Sequence, residues 1–235
     1  MMFVGKFKNN KPFPEKIGWN GNDRIMYDQV SSVFTNDRVK VYFWGVLYNK
    51  KSASNVEELS DAAIIAELYE RSGDDGFSGL DGSFTFVVSD SERTIVVRDH
   101  HGTNKLIYYN NFFFASSLKL LQETDGFITK PNLRALADFL SIGYIATPFS
   151  SLEGVSKLGA GEMLIHQNGQ FVTRQLYQTG GIEPARNAES LEELSERYGA
   201  LHKEAIEKRI GNNRNVGILL SGGYDSGCNL AGGFA

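Results

Sequence analysis

Ser221-Gly222-Gly223-Tyr224-Asp225-Ser226 holds the residues of this chain best suited to chemistry. Two adjacent glycines let a backbone turn sharply and approach a ligand closely. Ser221 and Ser226 add hydroxyl donors, and a helix starting here would aim free N–H groups and its positive dipole end at an anion. The preceding run, Val216-Gly217-Ile218-Leu219-Leu220, reads as a short buried parallel strand. Strand, Gly/Ser loop and helix start together make a phosphate cradle. The Walker pattern and its lysine are absent. Asp225 instead suits a magnesium ion carried on a polyphosphate. An ordinary strand-to-helix turn would explain a bare Ser-Gly-Gly. Asp225 and Ser226, directly after an apolar strand, favour the phosphate reading.

The elements that must position this loop are read from the N-terminus. Residues 1–37 carry few clear signals. Met2-Phe3-Val4-Gly5 fits an edge strand, Lys11-Pro12-Phe13-Pro14 a loop, and Trp19-Asn20-Gly21-Asn22-Asp23 a turn-rich stretch. Residues 39–48 form the first plain strand, rich in β-branched and aromatic side chains. Ser60 caps a helix over 61–71 that Gly73 ends, with Ile64, Ile65, Leu68 and Tyr69 as its buried stripe. Three hairpins follow, 84–88 with 94–97, 106–109 with 112–115, and 163–166 with 170–173. Pro131 opens a helix through about 142, with Leu133, Leu136, Ala137 and Leu140 on one face. Many antiparallel strands with two helices define an α+β layered domain. Residues 180–189 read as a linker. Ser190 and Glu193 form a capping box for a helix to about 210, with Leu191, Leu194, Tyr198, Leu201, Ala205 and Ile206 toward a core.

Composition narrows the class. Hydrophobic residues are 41% and charged residues 22%, which fits a folded chain rather than a disordered one. A net charge of −4 without a basic cluster argues against nucleic acid as a partner. No apolar run approaches the ~18 residues of a membrane span, and the start has no long apolar region of a signal peptide. The single cysteine, Cys228, has no internal partner, which fits a reducing cytosol. A cytoplasmic location is therefore expected.

Several stretches, in order, carry a family resemblance. The Ser221–Ser226 loop resembles the pyrophosphate loop of N-type ATP pyrophosphatases. Phe43-Trp44-Gly45-Val46-Leu47-Tyr48-Asn49 resembles the LNGEIYN stretch of the glutaminase domain in asparagine synthetases, and Ser60-Asp61 its SD before a helix. Leu80-Asp81-Gly82-Ser83-Phe84-Thr85-Phe86 resembles LxGxFAF. Arg98-Asp99-His100-His101-Gly102 with Leu106-Ile107-Tyr108-Tyr109 resembles RDxxGxxPLYY. The stretches 136–144 and 152–161 resemble the end of that domain. The resemblance implies an N-terminal-nucleophile-hydrolase-like α/β/β/α sandwich over 1–179, a linker over 180–189, and over 190–235 the truncated beginning of an α/β adenine-nucleotide hydrolase-like domain.

For an intact member the resemblance implies that ATP activates a small-molecule or peptide carboxylate as an acyl-adenylate, releasing pyrophosphate, and that an amine then forms the amide. Ser221, Gly222, Gly223 and Ser226 would hold phosphates, Asp225 magnesium, and the Leu219 backbone the adenine. The glutaminase half departs from its pattern. Its nucleophile is a first-residue cysteine whose α-amine can serve as base, but this sequence begins Met1-Met2-Phe3. The oxyanion-hole asparagine falls on Trp44, and Gly45 keeps only a backbone N–H. Asp61 matches the aspartate that holds glutamine's amino group, although without a nucleophile a first-turn carboxylate at a helix start explains it better. Trp44, Gly45 and Asp61 thus mark a degenerate glutamine pocket with no catalytic residue. Only nine residues follow Ser226, so a fragment or truncated product that binds no ATP alone is expected. The readings in play are the front of an asparagine-synthetase-like amide ligase, a β-lactam-synthetase-like or lasso-peptide-cyclase-like fragment, and a non-catalytic module. Oligomerisation stays open. His100-His101 reads as a hairpin turn rather than a metal site, Phe112-Phe113-Phe114 as core, Glu192, Glu193 and Glu196 as a solvated face, and Tyr224 as packing beside the loop.

Overall fold

A computed structural model describes residues 1–7, 20–21, 25–50, 59–124, 126–177, 190–211 and 215–234. The chain divides into two compact units, Met1–Gln178 and Thr179–Ala235. The strands are β1 (Phe3–Lys6), β2 (Asn20–Gly21), β3 (Ile25–Tyr27), β4 (Ser32–Thr35), β5 (Lys40–Leu47), β6 (Gly82–Ser89), β7 (Arg93–Arg98), β8 (Tyr108–Tyr109), β9 (Phe113–Ala115), β10 (Ser156–Lys157), β11 (Glu162–Gln167) and β12 (Gln170–Gln175). The helices of the first unit are α1 (Asp61–Ser72), α2 (Leu118–Gln122) and α3 (Leu133–Ile142), with a 3-10 turn at Gly73–Phe77. Two antiparallel sheets form, in the orders β10-β8-β9-β1-β3-β2 and β12-β11-β7-β6-β5-β4.

Period-two alternation along β5 sets the layers. Val41 and Phe43 join Phe86 and the α1 residues Ile64, Ile65 and Leu68 in one core. Tyr42 and Trp44 point the other way and join Phe3, Phe7, Phe114 and Leu164 between the sheets. On the far face of the first sheet, Val4 and Phe113 pack with Leu120 and Leu121 of α2. Helix, sheet, sheet and helix therefore stack as the expected α/β/β/α sandwich.

Local signals place most elements. The Ser60 hydroxyl accepts from Ala63 N at 3.3 Å, and Gly73 caps the other end of α1 at φ 62°. Gln167 pairs with Gln170, and Asn168 and Gly169 between them have φ of 51° and 75°, the tight turn of an antiparallel hairpin. Arg98 and Asp99 brace the connection from β7 to β8. Arg98 donates to Leu158 O at 2.6 Å and Gly102 O at 2.9 Å. The Asp99 carboxylate accepts from the backbone N–H of His101, Thr103 and Asn104 at 2.9 to 3.1 Å. His100 and His101 lie in this connection, which passes from one sheet to the other and so is not the expected hairpin turn. Phe113 and Phe114 are core, whereas Phe112 is exposed.

Several expectations are corrected. β1 is not an edge strand, because β3 and β9 flank it on either side. Asn20-Gly21 is a short strand beside β3 rather than only a turn, while the loop expected at 11–14 lies outside the described residues. β3, β4 and α2 carry no sequence signal strong enough to be expected. Pro131 precedes α3 and bridges to Leu152, while the Asn132 side chain caps the helix. The apolar face of α3 is not core: Leu133 and Leu140 are 74% and 85% exposed, and only Ala135 is buried.

In the second unit, α4 (Leu191–Ile210) starts at the expected capping box of Ser190 and Glu193. It buries no residue, so Leu191, at 78% exposure, and Tyr198, at 66%, do not face a core. Residues 216–220 form no ladder. The expected strand is absent because no described strand lies beside it to take its N–H and C=O groups. The glycine-rich tail is helical as α5 (Tyr224–Phe234). Its glycines permit a close helix approach, since a β-carbon on Gly232 would stand 2.7 Å from Ile206 Cδ1. The expected linker at 180–189 lies outside the described residues.

Candidate functional site

Two consecutive serines link Gly45 to the first turn of α1, where Asp61 sits, whereas the Trp44 side chain faces away from α1 into the core between the sheets. Ser31 Oγ accepts the Gly45 N–H at 2.9 Å, and Ser32 Oγ accepts the Ala62 N–H at 3.0 Å. One end of β4 therefore ties β5 to the first turn of α1. Gly45 is held at φ +116°, and a β-carbon there would lie 2.0 Å from Ser83 O. Only glycine fits this backbone.

Trp44 is fully buried between the sheets. Its ring stacks on Phe3 with centroids 3.9 Å apart and planes 17° apart, and Nε1 donates to Gln29 O at 2.8 Å. The start of the chain is fastened to the same stretch. Met2 N and Gln29 N both donate to Asp28 Oδ1 at 2.5 Å, and the terminal ammonium lies 3.5 Å from Asp28 Oδ2. Burial raises the Asp28 carboxyl, but these hydrogen bonds and that ammonium outweigh it and hold it below the ordinary value.

Asp61 is buried and ion-paired, with Lys50 Nζ 2.5 Å from Oδ1. A buried carboxylate needs such a counter-charge. Sequence reasoning missed Ser31, Ser32, Lys50 and Asp28 as parts of this site. Paired serines before a strand were the only local signal, and their partners lie 14 and 30 positions away.

The phosphate-loop residues form a separate cluster in the second unit. Ser226 Oγ accepts from Ser221 N at 3.3 Å, lies 3.2 Å from Ser221 Oγ and donates to Gly223 O at 3.1 Å. Gly222 turns the chain at φ +79°. Asp225 sits in the first turn of α5 and is exposed. Hydroxyls, small residues and a helix start match the chemistry of a phosphate group. A lone carboxylate suits magnesium only when phosphates supply most of its ligands. Among the described residues, no three His, Cys, Asp or Glu side chains form a metal cluster. Leu219 is 96% exposed, and Tyr224 is exposed rather than packed.

The glutamine amidotransferase domain family matches residues 33–177, more than half of the chain, and the chain belongs to that family. Within it, this is a domain of the asparagine synthetase family. The chain is 27% identical over 229 residues to a Methanocaldococcus jannaschii protein named as glutamine-hydrolysing asparagine synthetase 2, covering 90% of this chain and 43% of that protein. It is 20% identical to glutamine-hydrolysing asparagine synthetase 3 of Bacillus subtilis, covering 84% and 34%, and 26% identical to the human asparagine synthetase, covering 79% and 35%. The chain thus spans less than half the length of these curated relatives. Among solved structures it is similar to an allosteric regulatory enzyme of purine biosynthesis, at TM-score 0.45 and 15% identity over 76% of this chain and 43% of that one. It is also similar to a class-II glutamine aminotransferase domain protein of Silicibacter pomeroyi, at TM-score 0.41 and 12% identity over 75% and 92%. Among the described residues, no helix is long and apolar enough to cross a membrane.

Proposed function

We propose that this chain is the N-terminal portion of an asparagine-synthetase-like, ATP-dependent amide ligase of the cytoplasm, and that its amidotransferase domain does not hydrolyse glutamine. One observation carries the second half. The position matched to the oxyanion asparagine is Trp44, locked between the sheets on Phe3, and the remaining donor, Gly45 N–H, already serves Ser31. An oxyanion hole needs donors free to meet developing charge. Two further features agree. The first unit contains no cysteine, and Asp61, matched to the residue that holds glutamine's amino group, is neutralised by Lys50. The domain then acts as a folded platform rather than a source of ammonia.

For the synthetase half, Ser221, Gly222, Gly223 and Ser226 would hold the phosphates of ATP, Leu219 the adenine through its backbone, and Asp225 the magnesium. ATP supplies the activation of a small-molecule or peptide carboxylate, and the chain's own loop only binds and orients it. Unsupported by a sheet at 216–220, this loop is expected to bind ATP–magnesium too weakly to measure at micromolar concentration. Calorimetry with ATP–magnesium checks this, and a saturable micromolar signal would contradict it.

Incubation with glutamine tests the central claim. No glutamate should form above the buffer rate, and Met2→Cys should not create activity while Trp44 remains. Glutamate release that scales with protein and survives repurification would refute the proposal.

A further inference from the structure

We propose that Lys50 is a built-in occupant of a primary-ammonium site at Asp61, and that it keeps this site closed to amines from outside the chain. The receptor half is rigid. Asp61 opens α1, and the turn that carries it is pinned from two sides. Ser32 Oγ accepts the Ala62 N–H at 3.0 Å, and Ser60 Oγ accepts the Ala63 N–H at 3.3 Å. The Asp61 side chain is only 9% exposed. Its Oδ1 is shielded from solvent and accepts no hydrogen bond. What meets this atom is the charge of Lys50 Nζ, 2.5 Å away.

This pairing differs from one that serves the fold. A buried ion pair repays its desolvation when further hydrogen bonds satisfy the remaining lone pairs. Here the cation contributes charge without hydrogen-bond alignment, and its side chain is 44% exposed. Its root is fixed nonetheless. The side chain of Asn49, the residue before it, donates to Gly79 O at 2.8 Å and accepts the Asp81 N–H at 2.9 Å. A fixed root and a flexible four-carbon stem make Lys50 a tethered ligand. Such a short tether supplies the ammonium at an effective concentration of roughly millimolar or more. Amines below that concentration therefore stay out. The occupant also defines the chemistry of the site: a compact ammonium at the carboxylate, with an alkyl stem that reaches solvent. An unbranched primary alkylamine presents the same two groups.

The proposal concerns the pocket discussed above but fails separately from that reading. Glutamate release by the wild-type chain would refute the absence of hydrolysis and would leave Lys50 and Asp61 as they are. Chemical rescue on the full 235-residue chain tests the occupant itself. Lys50→Ala removes the atoms that n-propylammonium can replace. The variant should lose about 0.5–1 M from its urea midpoint. n-Propylammonium chloride at about 50 mM should restore at least half of that loss, saturably. Tetramethylammonium carries the charge but no N–H and should restore none. The wild-type midpoint should respond alike to both salts, because Lys50 holds the site. In the double variant K50A/D61N the rescue should vanish. An unchanged midpoint in Lys50→Ala would overturn the proposal. So would equal rescue by tetramethylammonium, or rescue that survives in the double variant. Absence of rescue, including a Lys50→Ala chain that stays unfolded in n-propylammonium, would overturn it as well.

Discussion

Helices α1 and α4 begin and end alike. Each has a serine cap that accepts a hydrogen bond from the third helical residue, an acidic first turn, a basic last turn and a glycine C-cap. Their fates differ. α1 buries eight of its 12 residues, Asp61 among them, whereas α4 buries none of its 20. Caps and charges act over one turn and are fixed by neighbours in sequence. Burial is fixed by what lies across from the helix, and β5 supplies that for α1. The contrast teaches that an amphipathic stripe states what a helix can cover, not that anything covers it.

The largest expected effect tests how much the first unit depends on that covering. Trp44→Ala should destabilise the first unit by about 3–5 kcal/mol, the range for large aromatic deletions in a core. The Gln29 carbonyl also loses its donor. Urea unfolding followed by tryptophan-independent far-UV signal measures it. A loss below about 1 kcal/mol would mean that Trp44 is not a keystone between the sheets. Gly45→Ala ranks next. Positive φ alone costs about 1–3 kcal/mol for a residue with a β-carbon, and the 2.0 Å approach to Ser83 O adds to it. An unchanged midpoint would show that the backbone relaxes there.

A smaller effect concerns the network at the far end of α1. Tyr69 OH donates to Asp90 at 2.5 Å and accepts from Arg93 Nε at 2.7 Å. Burial raises the Asp90 carboxyl, but the bonds from Tyr69 and from the backbone of Arg93 and Glu92, with the Arg93 charge, outweigh it and leave it lowered. The folded chain thus holds fewer protons at this site than the unfolded chain. The stability it contributes is complete above the unfolded carboxyl value, about 3.9, and is lost as pH falls through the lower folded value. Tyr69→Phe should cost about 0.5–1.5 kcal/mol at neutral pH and shrink the loss on acidification. An acid limb unchanged by the substitution would remove Asp90 from its cause.

How far the molecule was legible follows the same division. The turn at Asn168-Gly169, the caps at Ser60 and Ser190 and the β-branched and aromatic richness of β5 are local patterns, and the structure places them as read. β1 was misread as an edge because its neighbours, β3 and β9, lie about 20 and 110 positions along the chain. Residues 216–220 show strand composition, but a strand is a property of two segments, and the second is lacking among the described residues. In the site, Trp44 stood out by departing from the family pattern. Its partners did not, because Phe3, Gln29 and Ser31 are unremarkable residue types until the fold sets them beside β5.

The smallest effect returns to the two caps and sharpens the comparison most. Ser60→Ala and Ser190→Ala remove the same kind of bond, from Ser60 Oγ to Ala63 N at 3.3 Å and from Ser190 Oγ to Glu193 N at 3.2 Å. Each loss is about 1 kcal/mol for the helix concerned. The two should be felt differently. α1 is packed into the core, so its first turn opens only when the unit unfolds, and Ser60→Ala should lower the global unfolding free energy by nearly the whole amount. α4 has no buried face, so Ser190→Ala should speed exchange of its first-turn amides several-fold and leave the unfolding of the first unit unchanged. The comparison breaks if Ser190→Ala shifts that global transition as much as Ser60→Ala does, since an uncovered helix would then be coupled to the core.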